Sequence, residues 1–368
     1  MQPGVYIDLS EEEYFAVDAL GSSDIKKLLR APHDWWYSSR HNPHYEEPER
    51  GIALILGSAL HALMLEGTQA YEARFAIEPD PNDHPGALKT SDQIRDFLKL
   101  CDVHVPSKLS KTGLIDLAVE NGLGERIWDN IIRHHVQDVE LFGKVSIQAR
   151  QDRALRAMAK LVEDTPAIAD GLKIGLPEVS VFWRRDDVPG VLFRGRIDSL
   201  NEKFTLDLKT LSNWRGRTVS DMPRRQIEEM EYDVQRRFYD EARQAIRSHV
   251  EAGNIFFPRD TDQPVDKAYE KRVVKRLKAI AKVENWIWVW LFYQMRDDKA
   301  GRAPIVIPRW HAPEGDVYEQ AGLKVDRAIQ NYRDLVAQFG TDTPWHHIEP
   351  ALELEDSDLA GLQFKAPF

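Results

Sequence analysis

Residues 193–210, FRGRIDSLNEKFTLDLKT, place two aspartates and a lysine at spacings that suit metal-assisted chemistry. Asp198 closes one run of β-type residues (Val191, Leu192, Phe193, Ile197) and Asp207 closes the next (Phe204, Thr205, Leu206), with Asn201, Glu202 and Lys203 between them as a turn. Neighbouring antiparallel strands bring the two carboxylates together. Alternation along a strand sends Asp207 and Lys209 to one face and Leu208 to the other, into the core. Mg²⁺ takes oxygen ligands and keeps several waters, so one or two carboxylates plus substrate phosphate oxygens make a normal site. A neighbouring lysine can orient an attacking water or offset charge developing on a phosphoryl oxygen. On this fragment alone a second reading stays open: a surface hairpin whose Asp207 and Lys209 form an exposed ion pair worth roughly 0–1 kcal/mol.

The elements that must position these groups belong to a 368-residue chain, long enough for one large domain or a domain carrying an insertion. Its single cysteine, Cys101, excludes an internal disulfide, a Cys-rich zinc site and an iron–sulfur cluster, and fits a reducing cytoplasmic setting. No stretch has the length of an apolar membrane span, and residues 1–10 lack the pattern of a signal peptide. A net charge of −11 argues against coating nucleic acid through bulk charge, but not against a local basic groove. Arg215, Arg217, Arg224, Arg225, Arg236, Arg237, Arg243 and Arg247 cluster after the D-x-K strand, and residues 267–282 form a second basic stretch. Acidic residues gather at 11–13, 46–49 and 349–358.

Along the chain, Ser22 and Ser23 stand as caps of a helix that Pro32 stops, with Trp35, Trp36 and Tyr37 packed under it. Residues 51–67, GIALILGSALHALMLEG, predict an apolar helix ended by glycine, whose imidazole, His61, reads as either a core residue or a ligand. Residues 88–119 predict two short helices around an extended linker at 103–109. That unit resembles helix–extended loop–helix modules of the SAP and LEM type, with Lys99, Lys108 and Lys111 within it as candidates for phosphate, or else is a structural insertion. Residues 123–139 and 148–163 predict further helices. Residues 176–184 predict a strand with Glu178, Ser180 and Phe182 on one face. Residues 224–247 predict one long helix in which Gln235 and Tyr239 sit a turn apart, residues 286–293 a strand buried on both faces with 303–310 as its partner, and 317–339 a closing helix.

In order, then, the chain offers a helix with His61, a strand with Glu178, a strand ending R-G-R-I-D at Asp198, a D-L-K strand (Asp207 to Lys209) and a helix with Q-R-R-F-Y (Gln235 to Tyr239). This order resembles the PD-(D/E)XK nuclease superfamily, in its RecB-like branch. The segments GSALHALMLEG, FRGRIDSL, LDLKT and YDVQRRFYDEA are similar to the RecE-type exonucleases of phages and prophages, the exonuclease VIII group. The likeness covers roughly residues 5–80 and 145–340. It implies a mixed α/β, restriction-endonuclease-like core: a central mixed sheet flanked by helices, with a small helical insertion. Residues 1–83 would be the N-terminal part of the nuclease domain, 84–135 the insertion, 136–345 the nuclease core and 346–368 an acidic tail.

The resemblance further implies that His61, Asp198, Asp207 and the Leu208 backbone carbonyl ligate Mg²⁺, with Mn²⁺ as an acceptable substitute. Asp198, Asp207, Lys209 and Glu178 would be the catalytic set, Lys209 acting on the attacking water. Gln235 and Tyr239 would border the active site and, with Arg194, Arg196 and Arg236, meet DNA. The implied activity is a magnesium-dependent 5′-to-3′ exonuclease on linear double-stranded DNA in phage-type recombination; the alternatives are an endonuclease or flap nuclease, or a catalytically silent DNA-binding protein. A homo-oligomeric ring and a single-strand annealing partner are implied, in the cytoplasm of a bacterial or phage-infected cell and away from membranes. Relatives with an iron–sulfur cluster carry a cysteine where Ala31 precedes Pro32, so no cluster is expected. The chain has no G-x-x-x-x-G-K-[ST] loop, so ATP is not expected either.

Overall fold

The computed structural model describes residues 1–46, 51–211, 216, 218–258, 266–297 and 301–348. Arg215, Arg217, the acidic residues at 47–49 and the tail from 349 onward lie outside the described residues. The strands are β1 (Gly4–Tyr6), β2 (Phe75–Glu78), β3 (Val145–Gln148), β4 (Leu176–Trp183), β5 (Phe193–Leu200), β6 (Phe204–Thr210), β7 (Ile255–Phe256), β8 (Ile287–Gln294) and β9 (Ile305–His311). The central sheet runs β7-β1-β4-β5-β6-β8-β9, while β2 and β3 pair separately. It is parallel at β7–β1 and β6–β8 and antiparallel at its other contacts. The result is the mixed α/β fold expected, a mostly antiparallel sheet flanked by helices.

Apolar patterning explains why the sheet is covered on both sides. In β8, Trp288, Trp290 and Phe292 enter one core while Leu291 and Tyr293 enter another, the period-two signature of a strand buried on both faces. The first core holds Val179, Val181, Phe238 and Ile246 under the helix Tyr232–Ala252. The second joins Leu206 and Leu208 of β6 to Ala59, Leu60 and Ala62 of the His61 helix. Fully burying one such side chain contributes roughly 1.5–3 kcal/mol. Inside the second core, the Tyr71 hydroxyl donates to Asp152 at 2.8 Å, which satisfies a buried carboxylate. Residues 88–127 close over a small core of their own, built on Ile94, Leu98, Leu114, Ile115 and Ile127.

Several local expectations change. Gly21, not a serine, caps the helix Ser22–Arg30, and the Asp24 carboxylate accepts the Gly21 N–H at 2.8 Å. Pro32 opens the next helix, Pro32–Tyr37, because its missing N–H costs nothing in a first turn. The 51–67 helix is α-helical only over Ile52–His61 and then widens to a π-turn, Ala62–Glu66, before Gly67 at φ 92°. The helix expected at 123–139 is a 3₁₀ turn, Gly124–Arg126, followed by Trp128–Phe142. The long helix expected at 224–247 is two helices, Asp221–Glu229 and Tyr232–Ala252, broken where Glu231 takes φ 51°. Arg30 ties that break to the helix Ser22–Arg30, reaching Glu231 at 2.8 Å and the Glu229 carbonyl at 3.2 Å. Among the described residues no helix is long and apolar enough to cross a membrane.

Trp345 anchors the chain's return past the helix Asp316–Phe339. It is fully buried, its ring 5.0 Å from that of Trp35, and its indole N–H donates to the Gly340 carbonyl at 2.8 Å. Trp345→Ala should therefore cost about 3–5 kcal/mol in urea unfolding, and a loss below about 1 kcal/mol would show that this ring is not part of the core.

Candidate metal centre and active site

The site opens where β5 and β6 part. Their ladder pairs Leu200 with Thr205 and Ser199 with Leu206 and then stops, although β8 continues to pair β6 through Thr210. In place of the next ladder bond, the Asp198 carboxylate accepts the Leu208 N–H at 2.7 Å. An extended residue directs its N–H and C=O to the same edge, so the Leu208 carbonyl also faces this gap. On the other side of β5, Pro177↔Ser199 and Val179↔Ile197 bracket Glu178 and leave it opposite Asp198. Glu178 holds φ 48°, a left-handed conformation that costs of order 1–3 kcal/mol and is characteristic of functional sites. Ser180 and Phe182, expected to share its face, are fully buried, whereas the Glu178 side chain keeps 27 % of its surface open.

His61 comes from the other layer to meet these carboxylates. Its Nδ1 lies 3.8 Å from Asp198 and 3.9 Å from Glu178, and one ligand atom from each of the three residues falls within 4.8 Å of the others. The donor set, one imidazole and two carboxylates, fits a divalent cation. The helix turns from α to π directly after His61, a local widening often found at functional positions. Burial disfavours the imidazolium, but Asp198 and Glu178 outweigh it and carry the His61 pKa up to about 9. Burial likewise raises Asp198, against the pull of His61 and Lys209. The cluster thus behaves as a negative pocket short of positive charge.

Asp207 lies beside this cluster rather than within it. One of its oxygens accepts from Lys209 Nζ at 2.9 Å; the other lies 2.8 Å from the same nitrogen with no hydrogen bond of its own. Burial pushes the Asp207 pKa up to about 6, against the opposing pull of Lys209. Gln235 donates to Asp207 at 3.4 Å, so it holds a carboxylate of the site. Tyr239 is buried, with its hydroxyl against Ser22 and the backbone of Arg196. It packs on Gly195 of β5, where an added Cβ would stand in van der Waals contact, 3.4 Å from the ring.

The arginines expected to meet DNA are otherwise engaged. Arg194 donates to the carbonyls of Tyr14, Phe15 and Val17, and Arg196 to Ser180 and to the carbonyls of Leu9 and Ser10. Both staple the N-terminal segment to β5. Arg236 is 3 % exposed and bonds His311 and the Ala312 carbonyl. Arg243 is buried on Thr205 and Glu202, while Arg225, Arg237 and Arg247 pair with carboxylates. In the insertion, Lys111 pairs with Asp129, and Lys99 and Lys108 are exposed.

Two residues outside the expected set complete the site. Lys209 Nζ lies 4.8 Å from the centre of the Tyr232 ring, and Lys26 Nζ lies 5.5 Å from the same centre. Tyr232 opens the YDVQRRFYDEA segment one turn before Gln235 and was legible from helical spacing; Lys26 sits in an ordinary amphipathic helix and gives no local signal. Burial and then Lys209 push the Lys26 pKa down to about 8.

Residues 21–270, more than half of the chain, match the model of a family described as PDDEXK-like domain of unknown function (DUF3799). A search among curated proteins gives no match.

Two outcomes follow from this geometry. Divalent cation at a hundredfold excess over its Kd should stabilise the wild-type protein by about 2.7 kcal/mol, and Glu178→Gln or Asp198→Asn should remove most of that gain in thermal melts. Lys26 has a depressed folded-state pKa, so the charged side chain destabilises the fold below pH 8, and the penalty fades as pH rises from 8 toward 10.5. Lys26→Met should accordingly exceed wild type in stability at pH 7, with the gap closing by pH 10 in urea titrations.

Proposed function

The chain belongs to the family of PDDEXK-like domains, and on that premise we propose that it is a divalent-metal-dependent deoxyribonuclease, acting as a 5′-to-3′ exonuclease on linear double-stranded DNA. The observation that carries the hydrolytic reading is the convergence of His61, Glu178 and Asp198 beside the Asp207–Lys209 pair. The end-dependent, 5′-to-3′ part rests on the likeness of the GSALHALMLEG, FRGRIDSL, LDLKT and YDVQRRFYDEA segments to RecE-type exonucleases. Magnesium is the proposed ion because most donors at the site are carboxylate oxygens.

A bound divalent cation supplies neutralisation of charge on the phosphoryl oxygens and a more acidic water. His61, Glu178 and Asp198 would hold it, with Asp207 and the Leu208 carbonyl at the same gap. Lys209, beside Asp207, would hold the attacking water against the phosphorus. Gln235 would hold the Asp207 carboxylate in place. The Leu208 N–H fixes one Asp198 oxygen, so the carboxylate is oriented before substrate arrives. With most arginines occupied internally, the exposed lysines along the helix Lys267–Ala281 and its end (Lys267, Lys271, Lys275, Lys278 and Lys282) are the surface best suited to duplex phosphates.

End-labelled linear duplex should be degraded with Mg²⁺, spared with EDTA and spared by Asp207→Ala, while a closed circle remains intact. Equal nucleotide release by wild type and Asp207→Ala would remove the metal assignment. Lys209→Met should lower kcat by about 10²–10³-fold with little change in KM.

A further inference from the structure

Lys26 has a role that the PDDEXK-type motif order does not include. It projects from the helix Ser22–Arg30 toward the break between the two helices that follow β6, where its ammonium donates to the Met230 carbonyl at 3.2 Å. Its ammonium lies 5.5 Å from the centre of the Tyr232 ring, and that of Lys209 lies 4.8 Å from the same centre. Among the described residues no carboxylate forms an ion pair with it. The nearby Glu231 is held by Arg30, and Asp207 is held by Lys209. Two partly buried ammonium groups thus converge on one ring in a chain whose net charge is −11. Among the described residues Asp207 pairs with Lys209 and no carboxylate pairs with Lys26, so the two ammonium groups share one ion-paired carboxylate. Burial in that state is unfavourable for Lys26, and an anion seated between the two lysines relieves it.

We infer that Lys26 is a phosphate-binding residue that, together with Lys209, grips the scissile phosphodiester from the Tyr232-helix side of the sheet, across from the layer that carries His61. The nuclease reading supplies the identity of the substrate; the anion site itself rests only on the lysine pair and the single carboxylate, Asp207, that the two share. A lysine serves here as a point charge with three donors, able to follow a phosphate oxygen as the reacting phosphorus inverts.

Metal-free protein in EDTA provides the test. Inorganic pyrophosphate titrated calorimetrically should bind the wild type, lose at least tenfold in affinity with Lys26→Met, and recover most of it with Lys26→Arg. A duplex oligonucleotide bound across a KCl series should show a salt slope smaller by about 1 for Lys26→Met and unchanged for Lys26→Arg. Melting curves, together with Lys26→Gln as a second neutral variant, separate loss of the contact from loss of the fold. The inference is overturned if both neutral variants bind pyrophosphate and duplex as the wild type does, with the same slope, or if the wild type binds neither. Cleavage of linear duplex by the wild type in Mg²⁺ is read separately: its absence would remove the nuclease reading while the pyrophosphate titration still decides the anion site.

Discussion

The hydrogen bond from the Leu208 N–H to the Asp198 carboxylate is the constraint around which this molecule is arranged. The sheet has to be continuous to separate two cores, yet it has to part to admit a substrate. β6 resolves the conflict by keeping β8 along its whole length while releasing β5 after Ser199↔Leu206. Releasing a strand leaves a backbone N–H without a partner in a buried setting, which costs about as much as a lost hydrogen bond. Asp198 fills that vacancy and is thereby held beside Glu178 and His61. Loss of its carboxylate would orphan a backbone donor as well as dismantle the ligand set.

Around that bond the charges are arranged to be incomplete. Burial raises Asp198 and Asp207 against the pull of the nearby cations, while Asp198 and Glu178 outweigh burial and carry His61 up. On the Tyr232 side the imbalance is reversed, since Lys26 and Lys209 face one carboxylate between them. One half of the site is rich in carboxylate and the other in ammonium, an arrangement that the proposed metal-bound phosphodiester would complement. Glu178 in its left-handed conformation adds to the cost, and the two large cores that clasp the sheet offset it.

Basic residues divide the same way between architecture and chemistry. Arginine has a planar fork of donors and is weakly hydrated, so it is the side chain best fitted to satisfy several buried carbonyls at once. Arg194, Arg196, Arg236 and Arg243 do this, and they hold the N-terminal segment, the β9 exit and the β5–β6 turn. Lysine, strongly hydrated and mobile, is left on the surface of the helix Lys267–Ala281 and beside Asp207 in the site.

What was legible in the sequence was the set of residues that repeat a local rule. Alternation in LDLKT placed Asp207 and Lys209 together and sent Leu208 to the core; the doubly apolar WIWVWLFY gave a buried strand; and the order of motifs from His61 to Tyr239 gave the fold that the family match bears out. Contacts between distant segments were not legible, because propensity and spacing describe one element at a time. That is why Arg194 and Arg196 looked like phosphate ligands although they staple residues 9–17, why Glu178 takes a backbone conformation that strand alternation does not predict, and why the 224–247 helix breaks at Glu231. Lys26 is the clearest case. Its own helix marks it as one polar residue among several, and only the packing of Tyr232 against two lysines, more than 180 residues apart in the chain, gives it a place beside Lys209. The sequence determined which side chains could do chemistry and which strands would carry them; the tertiary structure decided which were free to do it, since a donor satisfied by a buried carbonyl is no longer available to a ligand.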